Sequence, residues 1–265
     1  MGHAARLLGS FLLAAGVASS APALRAGGET LPSGLKDAEI RELNQRILAA
    51  RNVMFDQQTE RYFRNGSRLR SDSFTATVRF VDGTEEYRSI RRGDRSYSSL
   101  KELGGPFVMG ELTTVLSVTR DALARGNALR SDSAEISDEP AIATHFHVGG
   151  REMGWLLVVG SSTWSLDFDG TAVFSVKDGS LLEISWRSSE PDLPGYCGIQ
   201  ALSWTTYFSS SPIGGTATVV PMRSTYRVEY TAAAHRTEWT ESRFLNYRRF
   251  GATSELTFAN DSTDR

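Results

Sequence analysis

The chain has 265 residues, with 29 basic against 31 acidic side chains and a formal charge of −2. This balance argues neither for nucleic acid nor for an acidic lipid surface as a partner. Cys197 is the single cysteine, which excludes an internal disulfide framework and leaves stability to the core. Its expected place is the Pro194-Gly195-Tyr196-Cys197-Gly198 turn.

The N-terminus reads as a secretory leader. Arg6, behind His3, gives a positive start, Leu7 to Ala18 is apolar, and Ala21-Pro22-Ala23 offers the small residues that signal peptidase needs. Pro22 disfavours a cut directly after Ala21, so cleavage is expected near Ala23. The apolar run is well short of the ~20 residues that span a bilayer, and no second such run follows. The expectation is a leader over 1–23 and one domain over 24–265, periplasmic or secreted, with no transmembrane segment.

Asp37 to Asn52 is the clearest helix, with Ile40, Leu43, Ile47 and Leu48 at helical spacing, Asp37 as N-cap and Glu39 in the first turn. The period then changes to two. Val53 to Arg64 is rich in β-formers, and Phe74, Ala76, Val78 and Phe80 alternate with Ser73, Thr75, Thr77 and Arg79 within Ser71 to Val81. Asp82-Gly83 predicts a hairpin returning through Glu85 to Ile90, and Arg92-Gly93-Asp94 a second tight turn. A weaker helix is expected from Gly110 through Ala124. The polar stretch Arg130 to Glu139 reads as a surface loop.

From Ala141 onward the chain reads as strand and turn. Strands are expected at Ile142 to Val148, Trp155 to Val159, Thr163 to Phe168, Thr171 to Val176 and Leu181 to Arg187, with hairpin turns at Asp169-Gly170 and Asp178-Gly179. After a loop over Pro191–Pro194 come Leu202 to Phe208, Thr216 to Val220, Thr225 to Tyr230, Glu238 to Tyr247 and Ser254 to Phe258. Strands this close together pair antiparallel, because a parallel crossover needs about a dozen residues or more. The fold class is therefore α+β, with a helix before the strands and a possible second one among them.

Candidate chemistry is sparse. His145 and His147 share a strand face and could chelate one ion, but no third ligand is identifiable, since His235 is distant in sequence; no metal is expected. Asp167-Phe168-Asp169-Gly170 lacks the later ligands of a calcium loop. Glu85 and Glu86 are neighbours on one strand and face opposite ways, so they cannot act as an acid–base pair. There is no nucleophile elbow, zinc-protease helix or phosphate-binding glycine loop. Neither an enzyme nor a cofactor is expected. Arg88, Arg91, Arg92 and Arg95 form a basic edge, read as a solvated hairpin tip or a docking surface.

Aromatic placement says more. Phe74, Phe80, Trp164, Phe168, Trp186, Trp204, Tyr226 and Tyr230 alternate along their strands, which gives a sheet with one apolar face. Two readings stay open: a filled core beneath a helix, or a curved sheet with a partly open apolar cavity.

Several stretches carry a likeness to a known family. They are Glu85-Glu86-Tyr87-Arg88 after the Asp-Gly turn, Trp164-Ser165-Leu166, the strand Leu181 to Arg187 after Asp178-Gly179, and the ending Phe244-Leu245-Asn246-Tyr247-Arg248-Arg249-Phe250-Gly251 with Ser254 and Phe258. With the order of elements, the chain resembles the LolA/LolB-like lipoprotein carriers, and more narrowly a group of secreted proteins common in Acidobacteria. The resemblance implies a half-barrel of antiparallel strands, helices over its mouth, and a cavity for lipid. It has no trustworthy counterpart of the carriers' lid-closing arginine, so transport is assigned to no residue. The expected function is to hold a lipid, a lipoprotein acyl chain or another apolar ligand against Phe74, Val78, Phe80, Trp164, Leu166, Phe168 and Trp186. The alternative is a structural or protein-interaction module of the envelope with a filled core, working through an envelope protein partner.

Overall fold

The computed structural model describes residues 11–12, 33–81, 84–107, 109–110, 114–125, 128–149, 156–159, 162–189, 198–231 and 236–250. In chain order the elements are β1 (Phe11–Leu12), α1 (Ser33–Ala49), β2 (Val53–Asn65), β3 (Arg68–Val81), β4 (Thr84–Arg92), β5 (Arg95–Tyr97), α2 (Leu100–Leu103), β6 (Pro106–Phe107) and α3 (Thr114–Ala124). There follow β7 (Ala128–Ile136), β8 (Glu139–Val148), β9 (Leu156–Val159), β10 (Ser162–Ser165), β11 (Phe168–Ser175), β12 (Leu181–Ser189), β13 (Ile199–Ile213), β14 (Thr216–Tyr230) and β15 (Arg236–Arg249).

Eleven strands form one curved antiparallel sheet, ordered β5-β4-β3-β2-β15-β14-β13-β12-β11-β8-β7. Its two ends do not meet, so the sheet is a half-barrel rather than a closed barrel. A small second sheet runs β10-β9-β1-β6. α1 and α3 pack on each other and lie on one face of the large sheet, termed the inner face; α3 is the second helix that the sequence suggested. The fold is the expected α+β half-barrel.

Local chemistry explains the main joints. Asn52, in the left-handed region at φ 56°, turns α1 into β2, as asparagine tolerates at a helix end. β13 and β14 join through Gly214-Gly215, both at positive φ, in a two-residue hairpin closing Ile213 against Thr216. Pro221 sits in β14 beside a register shift, a place where a strand tolerates a missing N–H. β3 alternates as expected, with Phe74, Ala76, Val78 and Phe80 all buried. Val81 pairs with Thr84 across the Asp82-Gly83 turn, which itself lies outside the described residues.

Four expectations need correction. The first helix begins at Ser33, so Asp37 is no N-cap and Glu39 lies beyond the first turn, buried against the sheet, while Leu48 is exposed. Arg130 to Glu139 is not a loop: most of it is β7, the sheet's edge strand, whose polar side chains suit an edge that must not pair with another chain. Ser137 and Asp138, both at positive φ, close the β7–β8 hairpin. Asp169-Gly170 is not a turn either but lies within β11, where the glycine admits a neighbouring ring. The separate strands expected between Leu202 and Tyr230 are two long ones, β13 and β14. The leader apart from β1, the Pro191–Pro194 loop, Cys197, His235, Ser254 and Phe258 lie outside the described residues.

Candidate functional site

Directly paired residues in an antiparallel sheet share a face. The register therefore lays out one transverse row on the inner face: Phe146, Gly170, Trp186, Trp204, Tyr226, Thr240, Arg61 and Asp72. The row changes character at its middle. From β8 to β14 it is aromatic, and from β15 to β3 it is polar.

The aromatic half is a floor beneath α1 and α3. Phe146 meets Trp186 edge-on at 5.7 Å between ring centroids, Phe168 meets it at 6.0 Å, and Trp186 tilts against Trp204 at 6.0 Å. These are the offset geometries that aromatic quadrupoles favour. Gly170 makes the arrangement possible: a Cβ there would stand 2.3 Å from the Phe146 ring. Leu166, Leu202 and Val228 complete the floor, and Leu43, Val115, Leu116 and Leu123 press on it from the helices.

The seam between floor and helices also holds polar groups. Among α1 residues in the main core, Leu43 is fully buried while Ile40 and Ile47 are only partly so. Glu39, one turn away, is also buried; its Oε1 accepts a 2.6 Å hydrogen bond from Thr144 on β8. Burial pushes the Glu39 carboxyl above its ordinary value, against the opposing effect of that hydrogen bond. Its second oxygen, with Thr119 Oγ1 on α3 and Thr206 Oγ1 and the Tyr226 hydroxyl on the sheet, is buried without a hydrogen-bond partner among the described residues. Burial also holds the Tyr226 hydroxyl well above the ordinary tyrosine range. Glu42 on α1 also accepts the Leu181 N–H at 3.1 Å and pairs with Arg46 at 2.7 Å.

The polar half is built differently. Gln57, Thr59 and Ser242 form a buried hydrogen-bonded set, with Thr59 and Ser242 2.9 Å apart. Arg61, 1% exposed, donates twice to Asp72 at 2.6 Å and once to the Gly104 carbonyl, with the Phe63 and Phe74 rings to its sides. Arg92 donates to the Leu103 carbonyl at 3.0 Å and reaches Asp72 at 3.4 Å. Two guanidiniums thus clamp the end of α2 onto the sheet. Beyond them, where β2, β3 and β15 end, opens a groove of about 520 Å³ with Phe63, Asn65, Arg68, Arg70, Arg236 and Glu238 in its walls.

The face away from the helices carries a trough of about 630 Å³, floored by Thr171, Ser185, Ser203 and Thr205 and rimmed by His145, Asp169, Arg187 and Arg227. His145 and His147 share this face, as their spacing required, but each has its own partners. His145 bonds to Thr171 at 3.0 Å and lies 3.1 Å from Asp132, while His147 lies 3.0 Å from Asp169. Burial lowers the His145 pKa, with Arg130 acting in the same direction. Among the described residues no three potential ligands gather.

The residues expected to line a ligand are distributed over three clusters. Leu166, Phe168 and Trp186 meet in the aromatic floor. Phe74 packs beneath α2 with Leu100, Leu103 and Phe107. Val78 and Phe80 join Ala50, Phe55 and Phe244. Trp164 belongs to β10, and its side chain lies outside the described residues. Phe146 and Gly170 were missed for the site, although Phe146 lies between the two histidines and must face the other way. Arg61 was missed because an arginine on a strand reads as outward; only its parity with Val53 and Phe55 signals otherwise. Glu85 and Glu86 do diverge, Glu85 being buried and bonded to the Gly110 N–H at 3.0 Å.

No protein-family model matches the sequence, and neither does any curated protein. Among solved structures the chain is similar to a DUF1329 family protein from Desulfovibrio piger, at 10% identity over 83% of this chain and 94% of that one, with a TM-score of 0.40. It is likewise similar to a LolA superfamily protein from Nitrosomonas europaea, at 10% identity over 80% of this chain and 94% of that one, with a TM-score of 0.38. Likeness this distant carries nothing about this chain's chemistry. Among the described residues no helix is long and apolar enough to cross a membrane.

Proposed function

We propose that this is an exported, non-enzymatic binding protein that holds an apolar chain on the aromatic floor after α1 and α3 move aside. The observation that carries the reading is the seam. A permanent helix–sheet interface is normally apolar, and each buried polar group left without a partner costs about 1–3 kcal/mol. Here Glu39 and Thr119 on the helices, and Thr206 and Tyr226 on the inner face of the sheet, all carry such atoms without a partner among the described residues. The cover is therefore held weakly over a floor whose rings are well packed among themselves. An acyl chain entering the seam exchanges helix contacts for its own, gaining about 25 cal/mol per Å² of apolar area removed from water, before association costs.

On this reading the leader over 1–23 is removed near Ala23 and the protein works in the periplasm or outside the cell. Cleavage takes β1 with it and leaves β9 and β10 as a hairpin. The ligand is a lipid, a lipoprotein acyl chain or a similar amphiphile.

The test is lipid extraction and native mass spectrometry of the purified mature protein. The expected result is a co-purifying amphiphile, lost when Leu166 carries a charge while circular dichroism stays unchanged. No uptake of fatty acids, phospholipids or lipopeptides by the wild-type protein would return it to the competing class, an envelope module with a filled core.

A further inference from the structure

The groove at the end of β2, β3 and β15 lies on the same face as the aromatic floor, and its charges do not cancel. Register places Asn65 opposite both Arg68 and Arg236, and Phe63 opposite both Arg70 and Glu238, with Arg61 and Asp72 in the next row. Both carboxylates are already engaged: Asp72 by Arg61 and Arg92, and Glu238, fully buried, by Arg236. Arg68 and Arg70 are exposed and have no ion-pair partner among the described residues. Arg236 is exposed too, and its guanidinium stacks 4.6 Å over the Tyr230 ring. It thereby joins the groove to the aromatic half. Two unpaired guanidiniums, with the paired Arg236 beside them, border a volume of about 520 Å³ with an aromatic ring in its wall.

We propose that this groove is a phosphate site, and that it takes the headgroup of a phosphate-bearing amphiphile whose chain lies on the floor. The second half of the statement rests on the carrier reading above; the first stands without it. A carboxylate is satisfied by one guanidinium fork, whereas two unpaired guanidiniums with a third beside them suit a group with three acceptor oxygens and a double charge. Spacing fits a single-chain amphiphile. From Trp204 on β13 to Arg70 on β3 are four strand spacings, roughly 19 Å.

The experiment compares three probes by calorimetry on the mature protein: an acylglycerol phosphate, the uncharged acylglycerol of the same chain length, and inorganic phosphate. The phosphate amphiphile should bind at least about tenfold tighter than its uncharged counterpart, the margin expected of charge-assisted hydrogen bonds. Arg68→Gln combined with Arg70→Gln should remove that margin and leave uptake of the uncharged probe intact. Arg243→Gln, an exposed arginine elsewhere on β15, should change nothing. Equal affinity for the two chain-bearing probes overturns the phosphate site and spares the carrier reading. Arginine-dependent binding of inorganic phosphate, with neither chain-bearing probe taken up, upholds the site and overturns the carrier reading. If neither phosphate-bearing probe binds, the site is overturned outright.

Discussion

The two halves of the inner face solve the same problem in opposite ways. Between β8 and β14 the sheet is covered by two helices, the rings beneath them pack against one another, and both layers carry buried polar atoms without a partner among the described residues. Between β15 and β3 the sheet itself is polar, and a short helix is held on it by Arg61, Asp72 and Arg92. On the proposed reading the first half pairs a strong floor with a weak lid. In the second the cover is fastened to the floor by charge. The contrast teaches that one continuous sheet face can carry a cover packed largely by apolar contact at one end and one fastened by guanidiniums at the other.

The largest expected effect lies in the locked half. Asp72→Ala leaves Arg61 buried without its counter-charge, and removing one partner of a buried pair should destabilise by about 3 kcal/mol. Urea unfolding checks this; a loss under half that size would mean that α2 is not fastened by charge. Next comes the aromatic half. Gly170→Ala drives a methyl into the Phe146 ring, an overpacking expected to cost about 2 kcal/mol. Adding Phe146→Leu should recover part of the loss, whereas additive losses in the double variant would separate the two residues.

How legible this was from the sequence depended on the half. In the aromatic half, strict alternation placed Phe168, Trp186, Trp204 and Tyr226 on one face, and pairing aligned them as expected. Gly170 misled, because Asp-Gly is a turn signal and only the partner strand reveals that a ring needs its space. In the polar half the alternation was present but chemically disguised. Val53 and Phe55 begin an inward series that continues through Gln57, Thr59 and Arg61, residue types that hydropathy assigns to solvent. Their burial is decided by what covers them, and a covering turn held by two arginines leaves no local signature. Glu39 was obscured for the same reason: its helix was legible, but not the face that would meet Thr144.

A smaller effect tests the seam. Because burial raises the Glu39 pKa, the folded protein keeps a proton that the unfolded chain has already lost. This contribution to stability is greatest below the ordinary glutamate pKa, falls as pH rises towards the raised value, and is absent above it. Glu39→Gln should therefore flatten the pH dependence and stabilise the protein near neutrality by about 1 kcal/mol. Glu183, also pushed up by burial, leaves a residual slope of the same sign. Parallel wild-type and variant pH profiles would show that the seam carboxylate is not strained.

Hydrogen–deuterium exchange of the mature protein, with and without a saturating single-chain amphiphile, tests the weak lid most directly. Amides of α1 and α3 should exchange through a local opening well below the free energy that releases β11 to β14, and the amphiphile should alter the helices while the strands stay protected. Helices and strands exchanging together, at one opening free energy that the amphiphile leaves unchanged, would contradict the account.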